Sequence, residues 1–99
     1  MVITHVATRE LHRVGADLTP NQFQALQAAL RAAERSGTTL AQIAAHDAAL
    51  ADLRVPKRCA ALLDLAKRAV WTRRDALRQE EKELVASFGR LDLRAKLVS

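Results

Sequence analysis

The chain is poor in the residues that staple, break or decorate a fold. Of its 99 residues one is cysteine, two are proline and three are glycine. Tyrosine is absent, leaving two phenylalanines and one tryptophan. A lone Cys59 rules out an internal disulfide and a cysteine-built metal site within one chain, and a free thiol fits a reducing cytoplasm. No stretch approaches the roughly 18 apolar residues of a membrane span. The opening MVITHVATRELHR has no long apolar run and meets charge at Arg9, which argues against a signal peptide. β-branched residues are sparse and sit mostly near the ends, so a large sheet is not expected.

Catalytic patterns are missing too. His5, His12 and His46 do not fall at a zinc-binding spacing such as HExxH. No Ser/His/Asp order, glycine-rich phosphate loop or buried carboxylate pair is visible. The sequence therefore predicts no enzyme, no cofactor and no metal. Cys59 falls on an apolar stripe and reads as an inert core thiol.

What remains is Ala, Leu and charge. Half of the residues (49%) are apolar, which suffices for one modest core of closely packed helices. The expected fold is all-α: a single domain over 1–99, a small bundle of three to four helices with one long C-terminal helix over about 55–88.

That long helix organises the chain. Pro56 is tolerated in a first helical turn, and no Gly or Pro follows until Gly89, a natural stop. At 1.5 Å per residue it would be about 50 Å long. Leu63, Val70, Leu77, Leu84 and Leu91 recur every seventh residue, joined by Cys59, Leu62, Ala66 and Phe88. Arg73, Glu80 and Glu81 interrupt the stripe, so it is not a clean coiled-coil seam.

Two shorter helices precede it. Thr19-Pro20-Asn21-Gln22 is a capping box with proline at the first position; its helix should run to about Ser36, with Phe23, Leu26, Leu30 and Ala33 inward and Gly37 as the stop. Thr38 or Thr39 caps the next helix, with Gln42 again three residues after Thr39; it ends near Leu53, with Leu40, Ile43, Ala44, Leu50 and Leu53 inward. Residues 1–14 fit a short helix capped by Thr4, although Val2, Thr4 and Val6 alternate as in a strand. Pairing of that segment with the weakly alternating tail (Leu91, Leu93, Ala95, Leu97) is the minor alternative.

The charge is unevenly placed. The net value is +5; residues 54–78 carry eight cations against two carboxylates, whereas 1–53 sum to −1 and 79–99 to zero. Such a concentrated field attracts polyanions or an acidic partner. Arg54, Lys57, Arg58, Lys67, Arg68, Arg74 and Arg78 are the expected binding residues. Trp71 is central, because cations hold phosphate while an aromatic ring stacks. A protein-binding hot spot uses the same residue types; alternatively the helices over 19–36 or 1–14 cover the ring, which then takes cation–π contacts from neighbouring arginines. Asp64 and Asp75 read as surface partners of nearby cations.

The segment from Gly37 to His46 resembles the first helix of a helix-turn-helix, and Leu53 to Arg58 would be its turn and the start of its recognition helix. The turn glycine is missing, and the first helix runs on through 47–53, so two ordinary packed helices explain the pattern more simply.

Length adds one more expectation. Helices over 20–36 and 39–53 are each about 25 Å long, half the length of the helix they must cover. Leu77, Leu84, Val85 and Phe88 need cover from the N-terminal segment, from the tail or from a second subunit, and a homodimer through this region is expected. The Glu80–Glu83 run could then face the basic patch of the other copy in an antiparallel homodimer. The sequence thus predicts a cytoplasmic nucleic-acid-binding protein that docks its 54–78 face on phosphate, with a protein-interaction module as the alternative.

Overall fold

The computed structural model describes residues 2–98, with side chains to Phe88. Four α-helices follow one another: α1 (Val2–Val14), α2 (Pro20–Glu34), α3 (Leu40–Asp52) and α4 (Ala60–Val98). Short 3-10 turns, Gly15–Asp17 and Lys57–Cys59, lead into α2 and α4. No strand occurs among the described residues, so the pairing of the termini is not formed.

Each helix follows from its residues. In α1 the buried positions are Thr4, Ala7, Leu11 and Val14, the three- and four-residue spacing that lines one helical face. Thr4 is therefore not the cap: the helix already begins at Val2, and Thr4 is buried within its first turn. Both capping boxes form. Thr19 and Thr39 accept from the backbone N–H of Gln22 and Gln42, and those glutamines return the bond to the threonine N–H. Each satisfies two donors that a helix start leaves unpaired.

The end of α2 differs from the expected glycine stop. No described residue has positive φ, so Gly37 does not take the left-handed conformation. Arg35 turns extended as the C-cap instead. The buried Thr38 hydroxyl then donates to the Ala32 carbonyl at 2.7 Å, satisfying one of the carbonyls that the helix end leaves open.

The long helix is also bounded differently. Pro56 precedes a 3-10 turn rather than opening the α-helix, which begins at Ala60. Gly89 does not stop it; the helix continues to Val98. Glycine in a helix costs about 1 kcal/mol relative to alanine, too little to break a helix already propagating from a long anchored stem.

Short connections make neighbouring helices antiparallel, and α4 touches each of the other three. Gln22 Nε2 donates to the Arg54 carbonyl, tying the start of α2 to the approach of α4. At the other end Arg73 Nη2 donates to the Arg35 and Ser36 carbonyls at 3.3 and 3.4 Å. Arg73, read from sequence as a break in the stripe, thus closes the end of α2.

Leu11, Leu26, Ile43, Leu50, Leu62 and Val70 are the large fully buried apolar side chains, each worth about 1.5–3 kcal/mol on burial. Ala7, Ala29, Ala33, Ala66 and Ala69 fill the gaps and allow the backbones to approach. On α3 only Ile43 and Leu50 are buried. Ala44, expected inward, is exposed, because α3 offers α2 and α4 a narrow side.

Candidate interaction surfaces

Trp71 projects from the side of α4 that meets α3. Its indole Nε1 donates to Asp47 Oδ1 at 2.7 Å, and the residue stays 40% exposed. Arg74, one turn on, places Nη1 3.6 Å from the other oxygen of the same carboxylate and Nε 3.5 Å from Asp75 Oδ1. The Nε contact lacks hydrogen-bonding geometry, so Asp75 acts on Arg74 through charge alone. Asp47 is therefore a shared acceptor that joins α3 to α4. The cations expected around Trp71 are therefore in part tied into an internal network. Nothing local marked Asp47, since its role depends on how α3 crosses α4.

The other expected cations divide into two groups. Arg68 pairs with Asp64 one turn back at 3.0 Å, and Arg58 reaches Asp17 beside α1 at 3.5 Å. All four side chains are well exposed, so each pair contributes a few tenths of a kcal/mol. Arg54, Lys57, Lys67 and Arg78 have no ion-pair partner among the described residues. Lys67, Trp71, Arg74 and Arg78 repeat at intervals of four, three and four residues. At about 100° per residue they share one side of α4 within about 60°. Lys57 and Arg58 stand apart from them on the 3-10 turn.

The second surface is the free end of α4. Leu77 still packs against the core, but every residue from Arg78 to Phe88 is exposed. Among these, Leu84, Val85 and Phe88 are 59%, 64% and 61% exposed. At about 100° per residue, Leu77, Leu84 and Phe88 fall within about 40° of one another and in line with Ala66 and Val70. The face that fills the core thus continues past the bundle with nothing described upon it. This overhang stretches the molecule to 65 × 24 × 18 Å. Leu91, expected on the same stripe, lies outside the described side chains.

Away from α4, Arg13 forms a two-point contact with Glu10, both bonds 2.9 Å long. The hydrogen bond from Arg13, reinforced by its charge, holds the Glu10 carboxyl below its ordinary range. Among the described residues no cluster of three or more His, Cys, Asp or Glu could hold a metal ion. No described helix is long and apolar enough to cross a membrane. Cys59 is a free, buried thiol. No protein-family model, curated protein or solved structure matches the chain.

Proposed function

We propose that this chain is a helical interaction module, and that the free end of α4 pairs with a second copy of itself. The observation that carries this is the run from Arg78 to Phe88: wholly exposed, yet bearing Leu84 and Phe88 in continuity with the core stripe and Val85 to one side of it. A helix in water without tertiary packing is marginal, and an exposed apolar face on a helix is the usual sign of a partner. An antiparallel pairing of two extensions covers both faces and sets the acidic Glu80–Glu83 run against basic surface of the other copy. A cytoplasmic setting belongs to this reading and is supported by the free core thiol.

Light scattering coupled to gel filtration tests it. At tens of micromolar the chain is expected to run as a dimer, and Leu84→Glu with Phe88→Glu to run as a folded monomer. A monomeric parent chain sinks the proposal.

The charge distribution favours a second reading, in which the basic side of α4 docks on nucleic-acid phosphate. Its support is that, among the described residues, Lys67 and Arg78 flank Trp71 and Arg74 without carboxylates of their own, with Arg54 and Lys57 similarly unpaired near the start of α4. Fluorescence anisotropy with duplex and single-stranded DNA at two salt concentrations checks this. Phosphate contacts predict affinity that falls steeply with salt and is lost on Lys67→Glu with Arg78→Glu. Absence of binding at low salt removes the nucleic-acid reading and points the same face to an acidic protein.

A further inference from the structure

A cleft of about 310 Å³ opens between α2 and α3, and no residue lining it belongs to the two surfaces described above. Its floor includes Ala28 and Ala32, whose small side chains leave room above them. Arg31 and Arg35 stand one turn apart on its α2 side, and Gln42 and His46 one turn apart on its α3 side.

The polar groups here are mostly donors. Neither Arg31 nor Arg35 has an ion-pair partner among the described residues. Gln42 spends its Oε1 on the Thr39 N–H, which leaves the Nε2 amide to donate. No carboxylate lines the cleft. Asp47, next to His46, is turned to Trp71 and Arg74. Glu34, next to Arg35, lines the groove between α1 and α2, which Arg31 also borders from its other side.

The backbone around the cleft is fixed. Arg35 donates its N–H to Arg31 and accepts from Arg73 at its carbonyl. Thr38 locks the turn onto Ala32. A basic residue near a helix C-terminus is favoured by the helix dipole alone. That accounts for one arginine but not for two at i and i+4, which repel each other, nor for facing donors across an open floor.

We propose that this cleft binds a single phosphate group, gripped by the guanidiniums of Arg31 and Arg35 and completed by Gln42 Nε2 and His46. Guanidiniums present paired N–H donors that match phosphate oxygens two at a time. The group could arrive as the free ion or as a monoester, and the chemistry of the grip is the same.

The test is amide and arginine side-chain NMR of the full chain, titrated at constant ionic strength with inorganic phosphate, O-phosphoserine or acetate. The expected result is saturable shifts centred on residues 28–46, tighter for the phosphates than for acetate. Arg31→Gln with Arg35→Gln should weaken phosphate at least tenfold. Both positions are exposed, so the variant is expected to keep the parent's dispersed spectrum, while Arg9→Gln, at an exposed position on α1, leaves phosphate affinity unchanged. Tighter binding of O-phosphoserine than of phosphate assigns the site to monoesters, and the reverse to the free ion. Shifts that never saturate, shifts spread equally over the α4 cations, acetate binding as tightly as phosphate, or an unchanged double variant would each overturn the proposal.

Discussion

The link between Asp47 and Trp71 can be weighed by a double-mutant cycle. A hydrogen bond to an ionised acceptor contributes about 1.5–3 kcal/mol when shielded. Here Trp71 is 40% exposed and the Asp47 side chain 33%, so water competes and about 1 kcal/mol is the fitting value. The Arg74 contact to the same carboxylate, at 3.6 Å and partly exposed, adds about 0.5 kcal/mol. Asp47→Ala loses both but gains up to about 0.7 kcal/mol of helix propensity, because alanine is the better helix former. Its net cost should therefore be about 1 kcal/mol. Trp71→Phe keeps most of the ring and removes only the N–H donor together with the benzo edge. In the cycle formed by Asp47→Ala, Trp71→Phe and the double variant, the propensity gain cancels and the coupling that remains should be about 1 kcal/mol. Urea unfolding followed by far-ultraviolet circular dichroism is the suitable assay, since Trp71→Phe removes the only tryptophan. All four proteins should be measured at one concentration, because self-association adds to apparent stability. A coupling energy below about 0.3 kcal/mol, within the usual error of additivity, would show that the contact does not hold α3 to α4.

The glycines offer a contrast of sign. A Cβ on Gly15 would lie 2.8 Å from Phe23 Cε2, whereas one on Gly37 meets nothing within 4 Å. Neither residue has positive φ. Gly15→Ala should cost about 1 kcal/mol by displacing the Phe23 ring, and Gly37→Ala should stabilise by about 0.4–1 kcal/mol through the unfolded chain; thermal melts distinguish them. Arg73→Met keeps the aliphatic stem and loses two long bonds to the end of α2, so about 0.5–1 kcal/mol should disappear, with hydrogen exchange rising first around 31–35. Glu10 is charged in the fold at lower pH than in the unfolded chain. Its small contribution is therefore present above the ordinary glutamate range and lost as pH falls through the depressed value. Carboxyl NMR should find its midpoint below that of an unstructured glutamate, and Arg13→Ala should raise it.

Local chemistry was legible in the sequence, and crossings between helices were not. Two Thr-x-x-Gln boxes announce the starts of α2 and α3, because a capping box needs only residues three apart. The spacing of Leu26, Leu30 and Ala33 identifies the inward side of α2 for the same reason. The long helix shows through its want of breakers, but its limits did not. A 3-10 turn after Pro56 and a glycine retained at position 89 are choices between nearly equal local energies. Ala44 was misassigned because alanine is neutral to either environment. Asp47 and Arg73 act on partners 24 to 38 residues away, where no periodicity reaches. The pair Arg31 and Arg35 escaped for another reason. Two solvent-facing arginines on a helix look ordinary until a second helix supplies the opposite wall.

Because α4 runs unbroken from the bundle into its extension, angle is transmitted along it as well as distance. At about 100° per residue, the stripe of Leu77, Leu84 and Phe88 and the basic side of Lys67, Trp71, Arg74 and Arg78 are centred roughly 90° apart around the axis. Two copies joined by their stripes would therefore carry their basic sides along the flanks of the seam. Such an assembly presents two separated contact faces at a set spacing, so a long polyanion reaching both would be held by avidity rather than by either face alone.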